Sequence, residues 1–163
     1  KNAYLTLRGE WMVGMQYERL GEMDNFGVNL AGNINTGMQV TMHELAAAED
    51  MRTRVWHRYR KLFENYDILL MPMSPVEPFP VTSNFPEQIG GKKLTNYVDW
   101  FAGAFLVTMG GIPAASVPAG TSSSNLPVGL QIAGPRFSEP LILSTGKMIQ
   151  SSNDVGWPPL SYN

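Results

Sequence analysis

The chain has 163 residues, of which 44% are hydrophobic and 16% are charged, and its formal net charge at pH 7 is −2. The apolar fraction is ordinary for one globular domain, whereas the low charged fraction suggests that part of the surface is covered by something outside the chain. No segment carries a basic stripe, so nucleic-acid binding is not favoured. The absence of cysteine excludes a disulfide scaffold, a thiol nucleophile and a thiolate zinc site within this chain.

The N-terminal residues and the apolar runs of the sequence indicate the cellular location of the protein. The first 20 residues lack the apolar core of a signal peptide and read like the middle of a helix, so we expect a truncated or cleaved chain. The longest strongly apolar run, about 101–109, is well short of the roughly 20 residues that span a bilayer, and no membrane association is expected. A chain without cysteine is compatible with a reducing compartment, and we expect a cytoplasmic protein.

The N-terminal third predicts two helices separated by a loop. Residues 1–20 read as a helix, and residues 21–34, rich in glycine and asparagine, read as a loop. A second helix is predicted from Thr41 to about Asn65. Thr41 and Glu44 form a Thr-x-x-Glu capping box at its start, and apolar residues then recur at three- and four-residue spacing.

The middle of the chain predicts a strand, a proline-rich segment and another helix. Residues 67–72 are continuously apolar after the aspartate, which is typical of a strand buried on both faces. Four prolines then favour extended backbone up to Phe85, and 90–93 form an exposed turn. Thr95 or Asn96 is expected to cap a helix that runs through about Met109 and ends at two glycines.

The C-terminal third predicts two strands and a closing helix. The strands are 113–119 and 127–133, joined by a turn at 120–125, and we expect both in one sheet with 67–72. Residues 139–151 read as a helix, and Trp157, Pro158 and Pro159 as a fixed tail. No charged residue occurs from 100 to 135, which predicts an apolar face covered by a larger body.

Local candidates for chemistry are weak. His43 and His57 are fourteen residues apart on one predicted helix, about 21 Å along its axis, so they cannot share a metal ion. Ser122, Ser123 and Ser124 lie in a predicted turn without a Gly-x-Ser-x-Gly elbow, which favours a structural role over a nucleophilic one. We therefore assign no catalytic residue, no metal ligand and no cofactor-binding residue within the chain.

Three segments resemble one enzyme family in order and spacing. Residues 63–72 resemble its pattern of a helix, an aspartate, a buried strand and a proline; 111–120 resemble its Gly-x-Pro-Ala-x-Ser-Val-Pro-Ala-Gly segment; and 126–137 closely match its Leu-Pro-Val-Gly-Leu-Gln stretch. The chain is thus similar to the amidase-signature enzymes over nearly its whole length. The resemblance implies that residues 1–163 are the C-terminal section of such a domain, without the N-terminal catalytic section.

The resemblance implies an α/β fold, of which this chain would hold an incomplete part of a large mixed β-sheet flanked by helices. It also implies hydrolysis of carbon–nitrogen amide bonds by a Ser–cis-Ser–Lys triad, without metal or organic cofactor. In the family the triad lies in a Gly/Ser-rich segment that this chain does not contain. The implied partners are the N-terminal section of the same enzyme and a small-molecule amide substrate, and a homo-oligomer stays open.

The family reading gives a candidate substrate wall on the helix that leads into the Gly-Gly-Ile-Pro loop. Its members are Trp100, Phe101, Phe105 and Thr108, although the residue pattern alone favours a packed core for the aromatic residues over a pocket wall. Thr108 stands where the family often has asparagine. Two alternatives remain for the complete protein: an amidotransferase component that acts on charged tRNA, and a non-catalytic binding or scaffold protein that retains the fold.

Overall fold

The computed structural model describes residues 1–153, apart from the side chain of Ala102, and divides into two units, 1–58 and Tyr59 onward. The predicted tail at residues 157–159 lies outside the described residues. The α-helices are α1 (Asn2–Met15), α2 (Val28–Met38), α3 (Met42–Leu62), α4 (Ala102–Gly110) and α5 (Glu139–Ser152). The strands are β1 (Leu69–Pro72), β2 (Gln88–Ile89), β3 (Lys92–Lys93), β4 (Ala114–Thr121) and β5 (Pro127–Ala133). Tyr17–Asn25 and Asp99–Phe101 form 3₁₀ helices.

The first unit corrects two predictions. The predicted helix over 1–20 ends as an α-helix at Met15 and continues as a 3₁₀ helix to Asn25. The predicted loop over 21–34 is wrong, because α2 begins at Val28. The glycines and asparagines of α2 disfavour a helix in isolation. Packing against α1 nevertheless stabilises α2 as a helix. Ile34 is only 1% exposed, and Gly9 and Gly37 let the two helix backbones come into direct contact.

The start of α3 confirms the predicted capping box. The Thr41 hydroxyl accepts the Glu44 backbone N–H at 3.2 Å, and the Glu44 carboxylate accepts the Thr41 backbone N–H at 2.9 Å. The Thr41 hydroxyl also lies 2.8 Å from the same carboxylate oxygen. These bonds from the Thr41 backbone and side chain lower the pKa of Glu44 below its usual value. The helix ends slightly earlier than predicted, at Leu62 instead of Asn65.

Thr41→Ala should destabilise the protein by about 1 kcal/mol, because the first turn of α3 loses its side-chain cap. The pKa of the Glu44 carboxyl should rise at the same time. A lowered folded-state pKa means that the ionised carboxylate stabilises the fold above the usual carboxyl pKa, and that this stabilisation is lost as the pH falls through the lowered value. Urea denaturation at neutral pH and NMR titration of Glu44 check both effects. An unchanged pKa in the variant would contradict this account of the cap.

The sheet of the second unit has the order β1-β5-β4, and all its pairs are antiparallel. This confirms that residues 67–72, 114–118 and 128–133 contribute strands to one sheet and that the last two are adjacent. The β4–β5 turn is closed by hydrogen bonds from the Ser122 N–H to the Leu126 carbonyl oxygen at 2.8 Å and from the Asn125 N–H to the Ser122 carbonyl oxygen at 3.0 Å. Asn125 has φ 58°, a conformation that asparagine tolerates in turns.

Helix α5, predicted over 139–151, packs on β4 and β5 and forms the core of this unit with them. Val117, Ile132 and Ile142 are the buried centre of that core. The expectation that β1 is covered on both faces is wrong for the described residues, since its residues alternate between partly buried and exposed and Leu70 is 51% exposed. Helix α5 packs on β4 and β5, and one face of β1 stays uncovered within the described residues.

The segment before α4 also differs from the prediction. Asn96 does not cap a helix there; its side-chain oxygen accepts the Val98 N–H at 3.0 Å and closes a local turn. The 3₁₀ helix follows, and α4 begins at Ala102. The predicted end is confirmed: α4 stops at Gly110, and Gly111 adopts a left-handed conformation with φ 58°.

Candidate functional site

A cavity of about 430 Å³ lies within the second unit. Its walls come from β1 and the residues that follow it, from the β2–β3 hairpin, and from the segment 99–103. The apolar side chains that form most of this wall are Met71, Met73, Ile89, Leu94 and Trp100. The cavity is partly open to solvent, its lining is mostly apolar, and its volume falls within the range of small-molecule sites.

The hairpin side of the cavity depends on two glycines. Gly90 and Gly91 both have positive φ, 54° and 77°, as a type I′ turn requires. The turn places Lys92 opposite Ile89 in the strand register. A hydrogen bond from the Leu94 N–H to the Glu87 carbonyl oxygen, at 2.9 Å, extends the pairing beyond the strands. The predicted exposed turn is therefore the tip of a hairpin, and the paired residues next to it, Ile89 and Lys92, line the cavity.

Another part of the cavity wall is built on Trp100. This residue is half-buried in the 3₁₀ helix, and its ring meets the rings of Phe79 and Phe101 edge-on, each with a centroid distance of 5.5 Å. Edge-to-face pairs of this kind are favourable and orient the rings. The Trp100 ring is thus held by neighbouring aromatic groups while part of it faces the cavity.

The four predicted wall residues occupy different environments. Trp100 lines the cavity, and Phe101 contacts Trp100 in the 3₁₀ helix instead of lying on α4. Phe105 is only 5% exposed and belongs to the buried apolar residues of α4. Thr108 is exposed, and its hydroxyl donates to the Ala104 carbonyl oxygen at 3.1 Å. The structure therefore brings the first two together and separates the last two from the cavity wall.

Two charged side chains, Lys92 and Asp99, are also part of the wall. The Thr95 hydroxyl lies 3.4 Å from one carboxylate oxygen of Asp99. The sequence predicts Lys92 only as an exposed turn residue, and it does not associate Met71 or Met73 with a site. The available signal is the Gly90-Gly91 pair between two short apolar-containing segments, which is typical of a tight hairpin.

The remaining candidates for chemistry stay structural. His43 and His57 are both exposed on α3. The Ser122 hydroxyl accepts the Leu126 N–H at 3.3 Å within the β4–β5 turn. Within residues 1–153, no group of three histidine, aspartate or glutamate side chains could hold a metal ion, and no helix is long and apolar enough to cross a membrane.

Comparison with known sequences gives one family. The sequence model of the Amidase family matches residues 15–143. The chain is 34% identical over 102 residues to a glutamyl-tRNA(Gln) amidotransferase subunit of Clostridium acetobutylicum, covering 61% of this chain and 20% of that protein. It is 35% identical over 111 residues to a glutamyl-tRNA(Gln) amidotransferase subunit of Prosthecochloris aestuarii, covering 66% and 21%. The chain thus spans about a fifth of the length of these relatives.

Solved structures show the same fold. A crystallised amidase superimposes with a TM-score of 0.81 at 18% identity, covering 92% of this chain and 34% of that one. A bacterial aryl acylamidase of the amidase-signature enzymes gives a TM-score of 0.73 at 22% identity, covering 89% and 31%. The family match extends over most of the chain, and these structures share its arrangement of helices and sheet. The chain belongs to the Amidase family, as a partial section of the amidase-signature fold.

Proposed function

We propose that the complete protein hydrolyses the carbon–nitrogen bond of small-molecule amides and that residues 1–163 are the C-terminal section of its amidase-signature domain. The observation that carries this proposal is the match of the Amidase family model over residues 15–143. The nucleophile, the general base and the oxyanion hole would come from the N-terminal section, by the Ser–cis-Ser–Lys mechanism that the family resemblance implies. We place the complete protein in the cytoplasm, with no nucleic acid among its partners.

The role of this chain would be to complete the substrate pocket and to cover the N-terminal section. Three apolar residues support this role because they are exposed to solvent. Leu70 on β1 is 51% exposed, Leu106 on α4 is 43% exposed and Val128 on β5 is 37% exposed. Apolar residues on exposed strand and helix surfaces favour burial against a partner surface. Trp100 would then form the substrate wall together with Phe101. Phe105 and Thr108, which belong to α4, would have a structural role in that helix and would not contact the substrate.

A second candidate function has a specific observation in its favour. The relatives from Clostridium acetobutylicum and Prosthecochloris aestuarii, 34% and 35% identical, are glutamyl-tRNA(Gln) amidotransferase subunits by name. In such a protein the ammonia released from an amide would be passed to glutamyl-tRNA(Gln) instead of to solvent. The low number of basic residues, 12 in 163, counts mildly against tRNA contact by this section. A non-catalytic scaffold would keep the fold but lose the Gly/Ser-rich segment of the N-terminal section.

The complete protein should release ammonia or amine from a panel of aliphatic and aromatic amides, and the isolated 163-residue chain should not. The reason is that the chain carries no assigned nucleophile. A continuous ammonia assay for primary amides and chromatographic detection of the released amine for N-substituted amides measure the difference between the two preparations. Turnover by the isolated chain would contradict the proposed division of roles, and a complete protein inactive on all amides, with or without glutamyl-tRNA(Gln), would favour the scaffold.

Replacing Trp100 with alanine in the complete protein should lower kcat/KM for aromatic amides about tenfold, equivalent to about 1.4 kcal/mol. The apolar contact between the half-buried ring and the substrate would be lost. Trp11→Ala is the matched control, because Trp11 is 54% exposed on α1 in the other unit. Equal losses in the two variants would argue against Trp100 as a substrate wall.

A further inference from the structure

The charged residues of the cavity, in addition to its apolar wall, indicate which ligand it binds. Eight of its ten lining residues are uncharged, and the two charged ones, Lys92 and Asp99, have opposite signs. An apolar pocket with few polar groups fixes a ligand through its apolar body and selects among ligands through the polar groups. The two charges therefore decide which end group the cavity accepts.

Lys92 is the charge that is available to a ligand. It has no ion pair with any residue in the part of the chain that the structure describes. Asp99 already interacts within the chain, including the contact of its carboxylate with the Thr95 hydroxyl at 3.4 Å. A cation would have to compete for Asp99, whereas an anion can approach Lys92 without breaking an existing pair.

The distribution of basic residues along the sequence also favours Lys92 as the residue that binds an anion. Between Lys61 and Arg136 the only basic residues in the sequence are Lys92 and Lys93. Both stand on β3, directly after the turn that Gly90 and Gly91 form. Lys92 lines the cavity and Lys93 does not. The hairpin thus brings a single lysine of this region to a wall whose other charged residue, Asp99, already interacts within the chain.

We propose that this cavity binds the apolar body of a substrate and that Lys92 binds a carboxylate on the same molecule. The substrate class of the proposed amidase is then an apolar or aromatic amide with a negatively charged end group, and the β2–β3 hairpin is a specificity element. This inference rests on the proposed function for the reaction, but the binding site itself does not depend on turnover. Lys92 is a binding residue here and takes no part in bond cleavage.

The test uses three ligands with one apolar body and different end groups that an amidase cannot hydrolyse: 4-phenylbutyrate, 4-phenylbutan-1-ol and 4-phenylbutylamine. Binding to the complete protein, labelled with ¹³C on its methionine methyl groups, is followed through the resonances of Met71 and Met73, assigned with Met71→Leu and Met73→Leu. All three ligands should shift these resonances because the apolar body is shared. The carboxylate should bind about two- to fivefold more tightly than the alcohol, as one partly solvated ion pair allows, and the amine should bind most weakly.

Lys92→Met is the decisive variant, because it keeps the length and apolar stem of the side chain and removes the charge. It should abolish the preference for the carboxylate while leaving the affinity for the neutral alcohol unchanged. Lys93→Met is the matched control and should keep the preference, since Lys93 lies next to Lys92 but outside the cavity wall. The preference should also shrink at high salt.

The outcomes separate this inference from the proposed function. An amine that binds as tightly as the carboxylate, or a preference that survives Lys92→Met, would overturn the assignment of Lys92. Unshifted Met71 and Met73 resonances with all three ligands would show that the cavity is not a ligand site. Binding as expected without hydrolysis of any amide would leave the site intact and reject the amidase. Hydrolysis of amides together with a carboxylate preference that Lys92→Met leaves unchanged would do the reverse.

Discussion

Replacing Ile132 with alanine should reduce the free energy of unfolding by about 3 kcal/mol, the largest effect expected in this chain. Ile132 has no exposed surface, and it lies on β5 with strand partners on both sides, Leu70 and Ala115. Its side chain belongs to the core between the sheet and α5, together with Val117 and Ile142. Truncation removes three methyl or methylene groups and leaves a cavity that rigid neighbours cannot fill completely.

The close approach of α5 makes that cavity hard to close. A Cβ added at Gly146 would lie 3.1 Å from a Val117 methyl group and 3.6 Å from the Cδ1 atom of Ile132, so the helix backbone already touches the core. Leu143→Ala on α5 is the control, since Leu143 is 67% exposed and its truncation should cost less than about 1 kcal/mol. Urea denaturation of the unsubstituted protein and of the two variants measures the change in the free energy of unfolding. Equal losses for the two substitutions would show that the sheet–helix core does not dominate stability.

Several elements of the fold follow from local sequence signals. The capping box at Thr41 and Glu44 predicts the start of α3, and the proline starts of 113 and 127 with a polar turn between them predict the β4–β5 hairpin. These signals are reliable because each specifies its own backbone geometry within a few residues. The family motifs in 111–120 and 126–137 cover the same hairpin, so the resemblance and the local pattern agree there.

The segment 21–34 could not be predicted from its composition. Asn29, Gly32 and Asn33 favour a loop when only local preferences are considered. The helix forms because α1 offers a partner surface: Gly9 is buried, and the contact with Gly37 exists only when both helices are in place. Contacts of this kind depend on residues almost thirty positions apart, and no local pattern reports them.

The candidate site can be predicted from the sequence only in part. The aromatic cluster around Trp100 is expected to flank a pocket, and Trp100 does line the cavity. The other walls come from Met71, Met73 and the β2–β3 hairpin, which local patterns describe only as a strand, a proline-rich segment and an exposed turn. Their convergence is a tertiary property. It depends on the left-handed backbone of Gly90 and Gly91 and on the extension of β1 pairing to Met73, whose N–H donates to the Gly129 carbonyl oxygen at 3.0 Å.

Gly37→Ala should destabilise the helical unit by about 2 kcal/mol, because no space exists for a side chain at this position. A Cβ at Gly37 would overlap the carbonyl group of Gly9 and would lie 2.9 Å from its Cα atom. The obstruction is backbone, which cannot rotate away as a flexible side chain can. The helices α1 and α2 would have to separate, which would expose Ile34, now 1% exposed.

Gly32→Ala on the same helix is the matched control and should act in the opposite direction. Gly32 is exposed and an added Cβ would meet no atom within 4 Å. Alanine there should stabilise α2 by up to about 1 kcal/mol through its higher helix propensity. Hydrogen exchange of the α1 and α2 amides measures the local stability: exchange should become faster in Gly37→Ala and slower in Gly32→Ala. Faster exchange in both variants would mean that α2 tolerates no substitution at glycine, and that the contact with Gly9 is not the specific cause.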